Sequence, residues 1–158
     1  MAISASEEPL GRVFTSDYRL SIPSFQRAYS WRPGNVLQLL DDIRSASQTP
    51  NTPYFLGSLI LVHDEGNAYE VIDGQQRFTT LQVFLMAARN LCAAKGASKY
   101  AARFAGLVEN DEDRIESEDE KYKLLPTNSD RAAFQLLHEA ASDSALDLSL
   151  KAQPELRD

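Results

Sequence analysis

The segment Asp73-Gly74-Gln75-Gln76-Arg77 joins the end of a predicted strand to the start of a predicted helix. A helix start exposes backbone N–H groups without intrahelical partners and carries the positive end of the helix dipole, so it attracts phosphate. Gly74 lets a phosphate approach the backbone closely. Arg77 falls on the first helical turn, where its forked guanidinium can meet two phosphate oxygens at once. The segment therefore has the chemistry of an anion site.

Asp73 has two interpretations at this helix start. Its carboxylate repels a phosphate unless a divalent cation lies between them, so in one interpretation Asp73 holds Mg²⁺ against the phosphates. In the other, Asp73 caps the helix by accepting the N–H of Gln76. Gln75 and Gln76 could orient a water molecule for in-line attack, because phosphoryl transfer depends mainly on positioning and charge stabilisation. Neither glutamine can act as a base.

The same residues also fit a plain strand-to-helix connection, with an Asp cap, surface glutamines and an exposed arginine. Strand–Gly–helix turns are common. The chain has neither a P-loop with its lysine nor the three-glycine pattern of dinucleotide-binding folds. The residues alone therefore leave both interpretations of the segment open.

A second cluster lies between Ile22 and Arg32, where two arginines and three aromatic residues share one predicted loop. Aromatic faces stack on nucleobases and arginine binds phosphate, so the loop could form the base or ribose side of a nucleotide pocket. In the alternative interpretation the loop is packed, and Tyr29 and Trp31 fill the core. Arg27 is the stronger functional candidate.

Hydropathy patterns predict the elements that carry these clusters. Alternating residues predict strands, three- and four-residue spacing predicts amphipathic helices, and a continuous apolar run predicts a largely buried strand. Two strands around the turn at 64–67 predict a hairpin. The predicted elements are a strand at 18–22, a helix from 33 to about 46, a buried strand at 54–62, a strand at 69–72, and helices at 75 to about 94 and 98–108.

The C-terminal part of the chain is predicted to be a helical extension of the same domain. Residues 1–108 form the predicted core, residues 109–121 an acidic, solvated loop, and residues 122–158 the extension, with a short strand at 122–126. His63 and His138 are predicted to be surface residues, because neither has a carboxylate or cysteine partner nearby in sequence.

The bulk composition predicts one globular domain. The chain has 158 residues, of which 43% are hydrophobic and 25% charged. Its net charge of −7 is uneven, since residues 1–105 hold ten basic and nine acidic side chains whereas residues 106–158 hold six and fourteen. An anion can thus dock on the N-terminal part, but a broad basic footprint for non-specific nucleic-acid binding is missing. A single cysteine and the lack of a signal-peptide pattern favour the cytoplasm, without a membrane.

Three ordered motifs resemble the N-terminal domain of GmrSD-type proteins, and the likeness covers roughly residues 10–140. A looser, later segment, Leu124 to Arg131, is also similar to that family. The motifs are Ile22-Pro23-x-Phe25-Gln26-Arg27-x-Tyr29-Ser30-Trp31, Tyr54-Phe55-Leu56-Gly57-Ser58, and Val71-Ile72-Asp73-Gly74-Gln75-Gln76-Arg77-Phe78-Thr79-Thr80-Leu81.

The resemblance implies an α/β (α+β) domain of ParB/sulfiredoxin-like fold, with a small mixed sheet flanked by helices. It implies a Mg²⁺-dependent nucleoside triphosphatase tied to type IV restriction of modified or phage DNA. Carried over by motif, the implied catalytic residues are Asp73, also the metal ligand, Gln75, Gln76 and Arg77. The implied nucleotide-binding residues are Gln26, Arg27, Tyr29, Trp31, Gly74, Thr79 and Thr80.

The implied partners are a nucleoside triphosphate, DNA through the full-length protein, and a separate C-terminal HNH-type nuclease domain or subunit. We expect no nuclease activity from these 158 residues, and a homo-oligomer is compatible with the resemblance. The alternative hypothesis is a non-enzymatic DNA- or protein-interaction module, in which the loop from Arg27 to Trp31 grips the partner and the Asp-Gly turn is structural.

Overall fold

A computed structural model describes residues 5–49 and 51–153 of the chain, without the side chains of Asn128 and Asp143. The described part is a mixed α/β domain, so the predicted fold class is confirmed. Within it, no helix has the length and apolar character needed to cross a membrane. The helices are α1 (Leu10–Val13), α2 (Pro33–Ser47), α3 (Gln75–Ala94), α4 (Ser98–Val108), α5 (Asn128–Glu139) and α6 (Asp143–Ala152), with 3-10 turns at Glu112–Arg114 and Glu118–Lys121.

Four strands form one mixed sheet in the order β2-β3-β1-β4. The strands are β1 (Arg19–Ser21), β2 (Ile60–His63), β3 (Ala68–Asp73) and β4 (Leu124–Leu125). β2 and β3 form the predicted antiparallel hairpin, whereas β1 pairs in parallel with both β3 and β4. Because parallel strands end at the same edge of a sheet, the segments that follow β1, β3 and β4 leave from one side of the molecule.

Helix α3 is the central helix of the domain. Its apolar side chains recur at three- and four-residue spacing, which turns Phe78, Leu81 and Leu85 toward the core. The Phe78 ring meets Phe14 edge to face, with ring centroids 5.4 Å apart. Gln82 is fully buried, and its Nε2 donates to the carbonyl of Leu107 at 3.0 Å, which ties α3 to α4. The start of α3 is thereby held by a long, well-packed element.

The prediction of a largely buried strand at 54–62 is wrong. Only Ile60–His63 is a strand, and it lies at the edge of the sheet with Ile60 52% and Val62 39% exposed. The preceding residues leave the sheet because Gly57, at φ 105°, turns the chain across the start of α3. The apolar run therefore reflects partial packing of Leu56 and Leu59 on the core rather than a buried strand.

The acidic segment 109–121 is attached to the domain at both ends. None of its residues is buried, in agreement with the predicted solvated loop. Its carboxylates nevertheless pair with arginines of the core, at N–O distances of 2.6 to 3.0 Å. These pairs are Glu109 with Arg89, Asp119 with Arg131, and Glu120 with Arg19.

His138 is buried, with 2% of its surface exposed, so the prediction of a surface residue is wrong. Its ring lies edge to face against Tyr122, with centroids 4.9 Å apart. Burial, followed by the charges of Arg89 and Lys121, lowers the pKa of His138 to about 4. Its Nε2 is 3.3 Å from Glu109 Oε1, an oxygen that Arg89 already binds. The residues that bury it are distant in sequence, so sequence spacing could not reveal them. His63 is exposed, as predicted.

Candidate functional site

The two sequence clusters meet at the edge where β1 and β3 end. The loop from Pro23 to Arg32 follows β1, and the Asp-Gly-Gln-Gln-Arg segment follows β3, its parallel neighbour. Several hydrogen bonds join them. One of these runs from Gln26 Nε2 to the carbonyl of Ile72, at 3.1 Å. The parallel pairing of two short strands therefore builds the candidate site.

The start of α3 lies at the centre of this site. Gly74 is the N-cap residue, at φ 92°, a left-handed conformation that glycine adopts without strain. It provides no side chain to cap the first turn. Among the hydrogen bonds of the described residues, none joins the exposed carboxylate of Asp73 to the N–H of Gln76. The first-turn amides thus keep the polarity that favours an anion.

Arg77 is held in place by the loop that precedes β2. Its Nη1 donates to the carbonyl of Ser58 at 3.2 Å, and its side chain is half-buried. The guanidinium lies on the backbone of Gly57, where an added Cβ would be 2.6 Å from Nη1. Gly74 faces the same loop, since a Cβ there would be 3.2 Å from the carbonyl oxygen of Ser58. Both glycines are required for this close approach.

Gln76 holds the aromatic loop instead of facing solvent. Its Oε1 accepts the N–H of Ser30 at 2.7 Å and that of Trp31 at 3.2 Å, and its Nε2 donates to the carbonyl of Ala28 at 3.2 Å. The side chain is 6% exposed. Both lone pairs of its amide oxygen are in use, so Gln76 has no free acceptor for a water molecule. These contacts make Gln76 a positioning residue.

Gln75 is also buried, but its amide oxygen differs from that of Gln76. Its Nε2 donates to the carbonyl of Arg27 at 3.4 Å, which fixes the loop backbone beside the helix start. Its Oε1 is buried and has no hydrogen-bond partner among the described residues. Buried polar atoms are nearly always paired, so this oxygen is an unsatisfied acceptor beside the helix start.

The aromatic residues of the loop are fixed to the protein. Tyr29 Oη and Thr80 Oγ1 share a hydrogen bond of 2.7 Å, and Thr80 in turn donates to the carbonyl of Gln76 at 2.8 Å. Trp31 is half-buried and packs on the core, and Thr79 is buried. Trp31 thus agrees with the packed-loop interpretation, whereas Tyr29 is 36% exposed and is held through its hydroxyl. Arg27 is exposed beside the helix start.

The sequence analysis did not select three residues that lie near the site. Gly57 and Ser58 carry Arg77, and Asp130 accepts the backbone N–H of Tyr29 at 2.8 Å and the hydroxyl of Thr127 at 2.9 Å. Asp130 lies near the site because β4 is also parallel to β1 and ends at the same edge of the sheet. These residues lie in the Phe-Leu-Gly-Ser and Leu-Pro-Thr-Asn-Ser-Asp segments, which resemble the family. The resemblance could have indicated them, but their residue types alone did not predict a chemical role.

The site offers few metal ligands of its own. The described residues contain no group of three His, Cys, Asp or Glu side chains that could hold a metal ion. Mg²⁺ is, however, commonly held by one or two carboxylates together with substrate phosphates and water. The exposed carboxylate of Asp73, next to the helix start, fits that mode of binding.

Comparison with models of protein families gives a match that covers most of the chain. The model of the GmrSD restriction endonuclease N-terminal domain matches residues 10–157, which is nearly the whole chain. A comparison with curated proteins finds no match.

Proposed function

The chain belongs to the family of the GmrSD restriction endonuclease N-terminal domain, and we propose that it binds a nucleoside triphosphate with Mg²⁺ and hydrolyses it. The observation that carries the proposal is the uncapped start of α3, with the guanidinium of Arg77 fixed beside it on Gly57. Backbone amides and an ordered arginine together form a cradle for phosphate oxygens.

Two arginines flank the cradle from different loops. Arg77 lies on the side of Gly57 and Ser58, and Arg27 lies on the side of the aromatic loop, where Gln75 binds its backbone. Two positive side chains and a helix start can neutralise much of the charge of a triphosphate. The domain therefore concentrates positive charge at one point of a chain whose net charge is −7.

The residues divide into those that meet the ligand and those that position them. Arg77 and Arg27 bind phosphate, and Asp73 binds Mg²⁺, which shields its carboxylate from the phosphates. The orphaned Oε1 of Gln75 accepts a hydrogen bond from the bound ligand or from water. Gln26, Gln76, Tyr29, Trp31 and Thr80 fix the loop, Thr79 is buried in α3, and Gly74 lets the Ser58 loop lie close to the helix start.

Hydrolysis requires little covalent chemistry from the protein. A water oxygen attacks the terminal phosphorus, the bond to the bridging oxygen breaks, and the products are a nucleoside diphosphate and inorganic phosphate. The water loses its proton to solvent or phosphate. Arg77 stabilises the charge that develops on the phosphoryl oxygens, and Mg²⁺ supplies further charge neutralisation.

We place this activity in type IV restriction of modified or phage DNA in the cytoplasm. The domain reports nucleotide state to a C-terminal nuclease domain or subunit, and DNA is engaged through the full-length protein. The family match supports the restriction context, because the matching model is that of a restriction endonuclease N-terminal domain.

The test combines phosphate release with nucleotide-dependent shifts in melting temperature. We expect the wild-type chain to be stabilised by Mg²⁺-triphosphate, because a ligand that binds only the folded state raises its stability. Arg77→Ala and Asp73→Ala should lose both signals while remaining folded. Arg44→Ala, which removes an exposed arginine from α2, is the charge-matched control. Equal signals in all four proteins would remove these residues from the mechanism.

A second candidate function is a non-enzymatic interaction module that contacts DNA or protein. The observation in its favour is Phe25, whose ring is 76% exposed in the loop after β1. Aromatic side chains are enriched at protein contact surfaces. Trp31, however, packs on the core, and the Tyr29 ring is anchored through its hydroxyl to Thr80. The nucleotide-binding function has the stronger support.

A further inference from the structure

An apolar cavity of about 200 Å³ opens between α1, α2, α3 and the loop before β2. Its lining is almost entirely apolar and includes Ile43, Tyr54, Leu56, Leu81, Phe84 and Leu85. Two of its aromatic rings remain open to solvent, since Tyr54 is 48% and Phe84 38% exposed. Apolar, aromatic-lined concavities of this kind are usual for the flat part of a small ligand.

Two elements lead from the residues of the phosphate cradle to residues that line the cavity. On α3, Leu81 and Leu85 follow Arg77 at four-residue intervals, so all three lie on one face of the helix. Leu81 is thus about 6 Å further along the axis than Arg77. In the loop, Leu56 lines the cavity and the next residue, Gly57, carries the guanidinium.

Tyr54 belongs to the loop that reaches both regions, since it lines the cavity and lies three residues before Gly57, which contacts the Arg77 guanidinium. Burial raises the pKa of its hydroxyl, Asp42 raises it further, and the positive charge of Arg77 lowers it. A ligand whose anionic end meets Arg77 has its remaining part directed toward an aromatic-rimmed apolar space.

We propose that this cavity takes the nucleobase of the triphosphate, with Phe84 and Tyr54 stacking on its faces. The proposal rests on the function proposed above and assigns a binding site to the base, the part of the ligand that the phosphate cradle does not hold. Stacking suits both purines and pyrimidines, because every base has a π face. The aromatic loop was one of two interpretations that the sequence left open for this role, but there the Tyr29 hydroxyl binds Thr80 and Trp31 packs on the core.

The test separates base binding from phosphate binding by using two probes. Dissociation constants are measured with Mg²⁺ for the four common ribonucleoside triphosphates and for inorganic tripolyphosphate. Two variants change the cavity in opposite ways, since Phe84→Ala removes a ring and Ala46→Phe fills the space beside it. Leu37→Ala, at a 62% exposed position of α2, is the control. Circular dichroism melting confirms that each variant is folded.

We expect both cavity variants to weaken nucleotide binding roughly 5- to 100-fold, in line with the loss of a base-stacking contact. Tripolyphosphate binding should change less than about twofold, because it does not reach the cavity. Unchanged nucleotide binding, or equal weakening of both probes, would overturn the cavity assignment while the triphosphate site stands. If neither probe bound the wild-type chain, the proposed function and this inference would both be wrong.

Discussion

At the scale of single residues, the position of Arg77 depends on a glycine in another loop. Gly57 has φ 105° and lies under the guanidinium, so a methyl group there would collide with Arg77 Nη1 at 2.6 Å. Gly57→Ala should displace the arginine and weaken triphosphate binding about tenfold, the loss of one charge-assisted contact. Titration calorimetry measures this change.

Gly66→Ala is the matched control for that variant. Gly66 also has positive φ, at 58°, but nothing lies within 4 Å of an added Cβ. Both substitutions should lower the free energy of unfolding by about 1 kcal/mol or more through backbone strain. Only Gly57→Ala should weaken triphosphate binding. Equal binding by the two variants would show that Gly57 does not set the position of Arg77.

Gln76 gives a second test at this scale, because it holds the aromatic loop through three hydrogen bonds. Gln76→Ala leaves the N–H groups of Ser30 and Trp31 without their acceptor and should cost about 1–3 kcal/mol of stability. Trp31 is the single tryptophan of the chain, so its fluorescence reports the loop directly. We expect a red-shifted emission in the variant. Gln38→Ala, on the surface of α2, should leave emission and stability unchanged.

At the scale of elements, α5 and the acidic segment are joined to α3 around His138 and Arg89. Arg89 Nη1 binds Glu109 at 2.6 Å and its Nη2 donates to the carbonyl of His138 at 2.6 Å. The neutral imidazole is therefore part of the packing. The lowering of its pKa to about 4 couples this junction to pH.

The folded state should lose stability as pH falls from about 6.5 to about 4. In that window the unfolded chain protonates His138 whereas the folded chain does not, so protons favour unfolding. We expect a loss of about 3 kcal/mol from this residue over that window. Urea unfolding of the wild type and of His138→Phe at several pH values measures it. Parallel pH profiles for the two proteins would contradict the account.

The elements also show where sequence reasoning succeeded and where it failed. The helices α2, α3 and α4 were predictable, because each shows a clear apolar face and begins or ends near Pro33 or a glycine. The strand predicted at 54–62 was too long, because only Ile60–His63 forms a strand. An apolar run predicts burial, but it does not record that Gly57 turns the chain out of the sheet.

At the scale of the whole molecule, the sequence identified the two clusters but not the way they meet. Their contact depends on the parallel pairing of β1 with β3, which no local pattern encodes. The roles of Gln75 and Gln76 were not evident for the same reason. Whether an amide faces water or binds a distant loop backbone is decided by tertiary contacts such as that with Ser30.

The charge distribution of the chain makes a further prediction at this scale. With a net charge of −7 and no broad basic face, the isolated chain should bind short duplex DNA more weakly than about 10⁻⁴ M at physiological salt. Fluorescence anisotropy with labelled DNA at several salt concentrations measures this affinity. Tight binding that falls steeply with ionic strength would favour the interaction module instead.

The central claim is that triphosphate binds at the start of α3 beside Arg77, and a binding titration tests it most directly. A non-hydrolysable triphosphate analogue with Mg²⁺ is titrated into the wild-type chain, Arg77→Ala and the charge-matched Arg44→Ala. We expect the wild type and Arg44→Ala to bind equally, and Arg77→Ala to bind at least about tenfold more weakly, as removal of a charged contact requires. Equal affinity for all three folded proteins, or no binding by the wild type, would contradict the account.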